Sequence, residues 1–235
     1  MSQTKSESSG AAPALSLHAF VLGATHEIAN PLSSISMGAE VATLMLNRGQ
    51  IDGVRELVDR IVKDCARSAR LLQGLQRFGA GMQPHPRENV VARSLFEAAI
   101  GMFRTECREA KLPIKLEAIE ATVHIDRPAF EHACMDLLQN AFDAGAKEIV
   151  VEVRKDGDFI SFVVRDDGTG IAPDLLGRVV DPFFSTRRAE GKCGLGLTLL
   201  NELANLHGGA LRIAAGSPNG VSAELRLPAA KVLQT

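Results

Sequence analysis

The sequence predicts an α-helical hairpin followed by a two-layer α/β sandwich, and three observations lead to this prediction. Residues 14–79 show helical periodicity and no strand pattern. Residues 80–87 are rich in Gly and Pro, a composition typical of a linker. Residues 88–229 then alternate helical patterns with short strand patterns, which favours helices packed on one face of a mixed sheet. Residues 1–13 and 230–235 are predicted to be tails.

The hairpin carries a heptad pattern in its second helix. Its apolar positions are spaced by alternating fours and threes, at Val54, Val58, Ile61, Cys65, Ser68, Leu72 and Leu75. A similar line in the first helix is interrupted at Pro31, where the missing backbone donor is expected to bend or loosen the helix. Because two helices alone bury little apolar surface, two hairpins are expected to form a four-helix bundle across a homodimer.

The sequence patterns in the second segment, residues 88–229, predict three helices and six strands. The helices are expected at residues 93–110, at 128–144 and from about 195 onward. The strands are expected at 114–117, 122–125, 150–153, 159–164, 211–214 and 222–227. The third and fourth strands are predicted to form a hairpin that turns at 156–158.

Composition excludes several classes of protein. The chain has 235 residues and a net charge of −2, so it has no basic footprint for nucleic acid and no polybasic membrane anchor. Its four cysteines are widely spaced, which argues against a disulfide framework or a zinc site. No apolar run approaches the roughly 18 residues of a membrane span, and the N-terminus does not resemble a signal peptide. We therefore expect a cytoplasmic protein without a nucleic-acid or membrane partner.

Two polar residues stand one turn apart on the helix predicted at 128–144. Asp136 and Asn140 share one face of this helix, whereas Leu137, Leu138 and Ala141 lie on the other. Their side-chain oxygens suit magnesium, which prefers hard oxygen ligands together with substrate phosphates. Taken alone, the pair is more typical of a solvated polar face.

A carboxylate ends the strand predicted at 159–164 and is followed by glycines. Asp166 can accept a hydrogen bond from an exocyclic amine, while Gly168 and Gly170 let the backbone approach a ligand closely. An ordinary surface turn is the alternative for this segment alone.

Further along, a polar loop contains two adjacent aromatic residues, Phe183 and Phe184, and is predicted to form a hinged flap with both rings exposed. Gly194 and Gly196 then open a helix whose free amide groups would face an anion. A GxG pattern at a helix start is by itself weakly specific.

In this order and spacing, the segments resemble the Asn box, Phe box and two glycine boxes of the Bergerat-fold, or GHKL, ATPases. That superfamily includes histidine kinases, gyrase-type topoisomerases, Hsp90 and MutL. The resemblance covers residues 88–227 and implies that the domain binds ATP and Mg²⁺. It implies that Asn140 binds magnesium, with Asp136 nearby. It implies that Asp166 binds the adenine amino group and that Gly168 and Gly170 lie beside the base. It further implies that Gly194 and Gly196 approach the phosphates and that a mobile lid carries Arg187, Arg188 and Lys192. Two positions depart from the family pattern: Asp143 stands where many histidine kinases have Lys, and a frequent Gly near Lys192 is missing.

The first helix contains a histidine in an unusual setting, Thr25-His26-Glu27-Ile28-Ala29-Asn30-Pro31-Leu32. Helical geometry points His26 away from the apolar seam, so its ring is expected to be exposed. A neutral imidazole can act as a nucleophile, Glu27 could take up its proton, and Asn30 could hold a water one turn later. A zinc-protease HExxH motif is excluded because position 30 is Asn. An exposed histidine without a role remains the alternative for this segment alone.

This segment resembles the H-box of histidine kinases. The combined resemblance implies ATP-dependent autophosphorylation of His26 and transfer of the phosphate to an aspartate of a response regulator receiver domain. Dephosphorylation of that regulator through Asn30, and an upstream sensor protein as a second partner, are further hypotheses. The competing hypothesis is a histidine phosphotransfer adaptor with a degenerate ATPase domain, which the presence of Asn140, Asp166 and the four glycines disfavours.

Overall fold

The structure is a computed structural model that describes residues 17–81, 85–107, 111–187, 192–216 and 219–230. The predicted tail at 1–13, the middle of the predicted linker, most of the tail at 230–235 and the lid residue Arg188 lie outside the described residues.

Two long helices form the predicted hairpin: α1 (Leu17–Asn47) and α2 (Asp52–Gly81). Gly49 sits in the turn between them with φ +70°, a conformation that favours glycine. The helix α1 continues through Pro31, so the predicted interruption does not divide it. At its other end α2 extends to Gly81, two residues into the predicted linker.

Both apolar and polar side chains take part in the contact between the two helices of the hairpin. Ile61 packs on Gly38, where an added Cβ would lie 3.1 Å from the Ile61 side chain. Ser34 Oγ donates a hydrogen bond of 2.6 Å to the Asp64 carboxylate. Three of the apolar side chains spaced seven residues apart nevertheless remain open to solvent in the single chain: Ile51 is 72 % exposed, Val58 45 % and Leu72 48 %.

The second segment is the predicted α/β sandwich. Its helices are α3 (Ala92–Glu106), α4 (Arg127–Asp143) and α5 (Gly196–Leu206). The main sheet has the order β2 (Ile114–Ala118), β4 (Ile149–Asp156), β5 (Phe159–Asp166), β7 (Val221–Pro228) and β6 (Ala210–Ala215). The β2 and β4 strands pair in parallel and the other neighbours are antiparallel, which confirms the predicted mixed sheet.

Two elements were not predicted. The strand β1 (Glu88–Val91) pairs antiparallel with β3 (Thr122–Ile125) in a separate two-stranded sheet. A 3₁₀ helix covers Pro173–Arg178. The strand β1 has four residues of which only Val90 is buried, so its sequence carries no alternation that could reveal a strand.

The core of the second segment lies between the main sheet and its three helices. Large side chains from both layers are fully buried there, including Phe96, Phe103, Phe130, Leu138 and Phe162. The start of α4 is fixed by Asp126, whose carboxylate accepts a hydrogen bond from the Ala129 amide at 3.1 Å.

Three aromatic rings join the hairpin to this core. Phe20 of α1 stacks on Phe78 of α2 with ring centroids 4.7 Å apart, and it contacts Phe183 at 5.2 Å. Phe183 also presses against Gly23, where an added Cβ would lie 2.7 Å from the ring. Phe183 is only 5 % exposed. The prediction that both rings of the flap are exposed was therefore wrong for Phe183, because the hairpin covers it.

Candidate functional site

A cavity of about 380 Å³ opens between α4, the end of β5, the loop after the 3₁₀ helix and the start of α5. Eight of the predicted site residues line it: Asp136, Asn140, Asp166, Gly170, Arg187, Lys192, Gly194 and Gly196. The structure therefore brings residues of the four predicted segments together around one cavity.

The α4 helix presents Asp136 and Asn140 to the cavity, with the buried side chains of Leu137 and Ala141 beside them on its wall. Leu137, Leu138 and Ala141 are at most 8 % exposed and belong to the core. The carboxylate and amide oxygens one turn apart fit magnesium, which takes one or two protein ligands and completes its shell with water and phosphate. Within the described residues no cluster of three or more His, Cys, Asp or Glu side chains could hold a metal on its own.

Asp166 supplies a carboxylate at the end of β5. Its Oδ1 accepts a hydrogen bond from the Gly168 amide at 2.9 Å. Burial raises the pKa of the Asp166 carboxyl, against the lowering effect of the amide hydrogen bonds it accepts. Apolar side chains of Val164, Ile213 and Ala223 line the same cavity. A flat, partly apolar ligand with an amino group fits this end.

The two glycines after Asp166 have different places. Gly170 lines the cavity with φ +76°. Gly168 lies behind the wall, where an added Cβ would be 2.7 Å from the Ala144 Cβ and 2.9 Å from its carbonyl oxygen. Gly168 is thus required by the packing of the β5 end against the end of α4.

The start of α5 forms the other end of the cavity. At Gly194, with φ +66°, an added Cβ would collide with the Phe184 carbonyl at 2.2 Å. Gly196 faces Asp136, whose Oδ2 would be 3.0 Å from an added Cβ. Thr198 Oγ1 donates a hydrogen bond of 3.0 Å to the Val180 carbonyl and fixes the first turn of α5. The first amide groups of a helix lack internal partners, so this end suits an anion.

Two cations lie at the cavity, Arg187 and Lys192. The Lys192 ammonium forms an ion pair with Asp143, the residue that departs from the family pattern. Sequence reasoning did not find this pairing, because the two residues lie on elements far apart in the chain.

The cavity also has a contribution from the hairpin that the sequence did not reveal. Gly74 and Phe78 of α2 line the wall. At Gly74 an added Cβ would lie 2.2 Å from the Cys193 sulfur, so the glycine permits close packing of α2 on the residues before α5. No local signal predicts this contact, since it depends on how the two domains dock.

The other three predicted residues, His26, Glu27 and Asn30, lie on α1 and not on the cavity wall. His26 and Asn30 are exposed, as expected. His26 follows Gly23 by three residues, which is about 4.5 Å of helix rise. The histidine therefore stands close to the contact between hairpin and second domain.

Comparison with known proteins identifies the second domain. Residues 125–231 match the family described as histidine kinase-, DNA gyrase B- and HSP90-like ATPases. This confirms the resemblance drawn from the four segments, and the fold is that of a GHKL-type ATPase.

Similarity to individual proteins extends over both domains. The sensor protein CreC of Escherichia coli is 30 % identical over 218 residues, which cover 88 % of this chain and 44 % of CreC. The sensory histidine kinase/phosphatase NtrB of Rhodobacter capsulatus is 27 % identical, over 87 % of this chain and 60 % of NtrB. The structure of histidine kinase ThkA in complex with the response regulator protein TrrA aligns with a TM-score of 0.67 at 20 % identity, over 91 % of this chain and 62 % of that one.

These comparisons correct the predicted cytoplasmic location. The curated relatives are sensor proteins, and the chain spans between 24 % and 60 % of the length of those it matches. Among the described residues no helix is long and apolar enough to cross a membrane. The predicted cytoplasmic location is nevertheless contradicted, because the relatives are sensor proteins of which this chain matches only a part. Residues 125–231 thus belong to the GHKL-type ATPases, and the chain as a whole is similar to two-component sensor histidine kinases.

Proposed function

We propose that this chain is the catalytic part of a kinase that uses Mg-ATP to phosphorylate His26 and passes the phosphate to an aspartate of a response regulator. The observation that carries the proposal is the presence, in one chain, of an exposed His26 beside the interdomain contact and a cavity lined by Asn140, Asp166 and the start of α5.

Each end of the cavity would hold a different part of the nucleotide. The Asp166 carboxylate would accept a hydrogen bond from the adenine amino group. The amide groups at the start of α5 would receive the phosphates. Asn140, with Asp136 one turn earlier, would hold magnesium, which would neutralise part of the phosphate charge.

The transfer step needs a neutral imidazole and a proton acceptor. A ring nitrogen of His26 attacks the γ-phosphorus in line, the bond from phosphorus to the β,γ-bridging oxygen breaks, and ADP leaves. Glu27 takes up the ring proton. Since His26 is not on the cavity wall of its own chain, transfer requires either a change in the position of the ATPase domain on the hairpin or delivery of the phosphate to His26 of the second chain in the dimer.

The exposed heptad line supports a homodimer. Ile51, Val58, Cys65 and Leu72 follow one another at intervals of seven and are all exposed in the single chain. A second hairpin would cover this line and complete a four-helix bundle.

The relatives support a response regulator as the partner and regulator dephosphorylation as a second activity. ThkA is described in complex with a response regulator protein, and NtrB is named a histidine kinase/phosphatase. Asn30 is exposed one turn after His26, in position to orient a water. We expect Asn30→Ala to slow regulator dephosphorylation and to leave autophosphorylation intact. A comparable loss of both activities would contradict this role.

Incubation of the purified protein with γ-labelled ATP tests the kinase. We expect acid-labile labelling of the wild type and of His132→Gln, which alters an exposed histidine on α4, and none of His26→Gln. Labelling that persists in His26→Gln would refute the assignment. A wild-type chain that binds no ATP but accepts phosphate from a phosphorylated regulator would instead favour the phosphotransfer adaptor.

A further inference from the structure

The lysine beside the cavity is held by a carboxylate behind it. Lys192 lines the cavity, while its ion-pair partner Asp143 lies one turn beyond Asn140 on α4 and is not on the wall. The Asp143 side chain is 17 % exposed and the Lys192 side chain 36 %. The ammonium therefore stands between a largely buried negative charge and the space that a nucleotide would fill.

Asp143 is itself fixed by a chain of hydrogen bonds. Gln139 Nε2 donates to Asp143 Oδ1 at 2.9 Å, and Cys107 Sγ donates to Gln139 Oε1 at 2.8 Å. Burial raises the pKa of the Cys107 thiol, and the nearby Asp143 charge raises it further, so the thiol keeps its proton and remains a donor. The chain orients the Gln139 amide and leaves the carboxylate little freedom to follow a moving lysine.

The backbone of Lys192 is also held. Its amide donates to the Arg187 carbonyl at 3.4 Å, and two residues later the Gly194 carbonyl accepts from the Phe183 amide at 3.1 Å. Both the backbone and the ammonium group of Lys192 are thus anchored on the rim of the cavity.

The charges decide what the pair does when a polyphosphate binds. A bare Asp143 carboxylate would repel phosphates, and Lys192 cancels that repulsion as long as it stays in place. Complete transfer of the lysine to the phosphates would leave a buried carboxylate without its cation, which is unfavourable. An ammonium has three donors, so it can keep Asp143 and turn another N–H toward a phosphate oxygen.

We propose that Asp143 is a positioning residue that holds Lys192 as a fixed donor for the β- and γ-phosphates, while Lys192 masks the Asp143 charge from the same phosphates. This inference rests on the proposed binding of ATP at the cavity. The pair then acts as one unit that favours nucleotides with a polyphosphate over AMP, which lacks the β- and γ-phosphates.

Binding measurements on four proteins test the pair: the wild type, Lys192→Met, Asp143→Asn and the double variant. We expect Lys192→Met to weaken ATP binding by about 10- to 100-fold, the worth of a charged hydrogen bond, and to leave AMP binding unchanged. Adding Asp143→Asn should restore only part of that loss, because it removes the unmasked charge but does not replace the hydrogen bond that Lys192 donates. Lys192→Arg should retain ATP binding. Lys115→Met is the matched control, since it breaks an ion pair with Glu148 on the surface.

Two results would overturn the inference: ATP binding by Lys192→Met that equals the wild type, or a double variant that binds ATP no better than Lys192→Met. AMP binding reports in each variant that the adenine end is folded. A wild type that binds neither ATP nor AMP would instead refute the proposed function, so the two failures can be told apart.

Discussion

The hairpin and the ATPase domain differ in how far they bury their own apolar side chains. The ATPase domain encloses its own core, in which Phe96, Phe130 and Leu138 are fully buried. The hairpin buries few of its apolar side chains in the single chain and leaves Val58 and Leu72 about half exposed. The ATPase domain therefore buries most of its core within itself, while the hairpin depends on contacts with the ATPase domain and, as we propose, with a second hairpin.

The largest expected effect is on stability, when an aromatic ring is removed from the core of the ATPase domain. Phe130 has no exposed surface, so Phe130→Ala should lower the free energy of unfolding by about 3–5 kcal/mol. Leu72→Ala removes a half-exposed side chain from the hairpin and should cost well under half of that at low protein concentration. Urea denaturation measures both. Equal losses would show that the hairpin core is as complete as that of the ATPase domain.

The next effect concerns assembly. We expect Leu72→Glu to weaken dimerisation at least about tenfold, or about 1.4 kcal/mol, because it places a charge in the apolar seam of the proposed bundle. Light scattering coupled to gel filtration measures the mass against concentration. Lys63→Glu introduces the same side chain at an exposed position of α2 outside the heptad line and serves as the control. A Leu72→Glu protein that dimerises like the control would contradict the proposed interface.

A smaller effect tests the contact between the two domains. Gly74→Ala places a Cβ 2.2 Å from the Cys193 sulfur, so the domains should separate locally, while α2 itself gains about 1 kcal/mol of helix propensity. We expect faster reaction of Cys193 with a thiol reagent, measured in a Cys65→Ser background because Cys65 is exposed.

Gly79→Ala is the matched control for this substitution. It makes the same change on α2, where nothing lies within 4 Å of the added Cβ, and should leave the rate unchanged. If Gly74→Ala and Gly79→Ala gave the same Cys193 reactivity, the docking contact would not hold the domains together.

The smallest expected effect is a pH dependence within the ATPase domain. Burial raises the pKa of Asp166 above its ordinary 3.8. Protonation removes the negative charge of the carboxylate and so weakens the hydrogen bond that it accepts from the adenine amino group. ATP binding relative to Asp166→Asn should therefore weaken on acidification and begin to do so at a higher pH than for an ordinary aspartate. A ratio that stays constant down to pH of about 4 would contradict this role of Asp166.

The features that the sequence predicted well are those fixed within single elements. The one-turn spacing of Asp136 and Asn140 on α4 places both side chains on the cavity wall. The position of His26 outside the apolar seam likewise predicted its exposure.

The features that the sequence missed depend on contacts between distant segments. Phe183 is buried because α1 covers it with Phe20 and Gly23. Lys192 is paired because Asp143 lies across from it on α4. The local sequence around Phe183 or Lys192 does not indicate these contacts, since a residue has many possible partners until distant segments are brought together in the fold.

The proposed phosphorylation of His26 can be checked by mapping the phosphorylated residue. The wild-type protein is incubated with Mg-ATP, kept at alkaline pH to preserve phosphohistidine, and analysed by tandem mass spectrometry. We expect phosphate on the imidazole of His26. Phosphate on another residue, or none in a protein that demonstrably binds ATP, would contradict it.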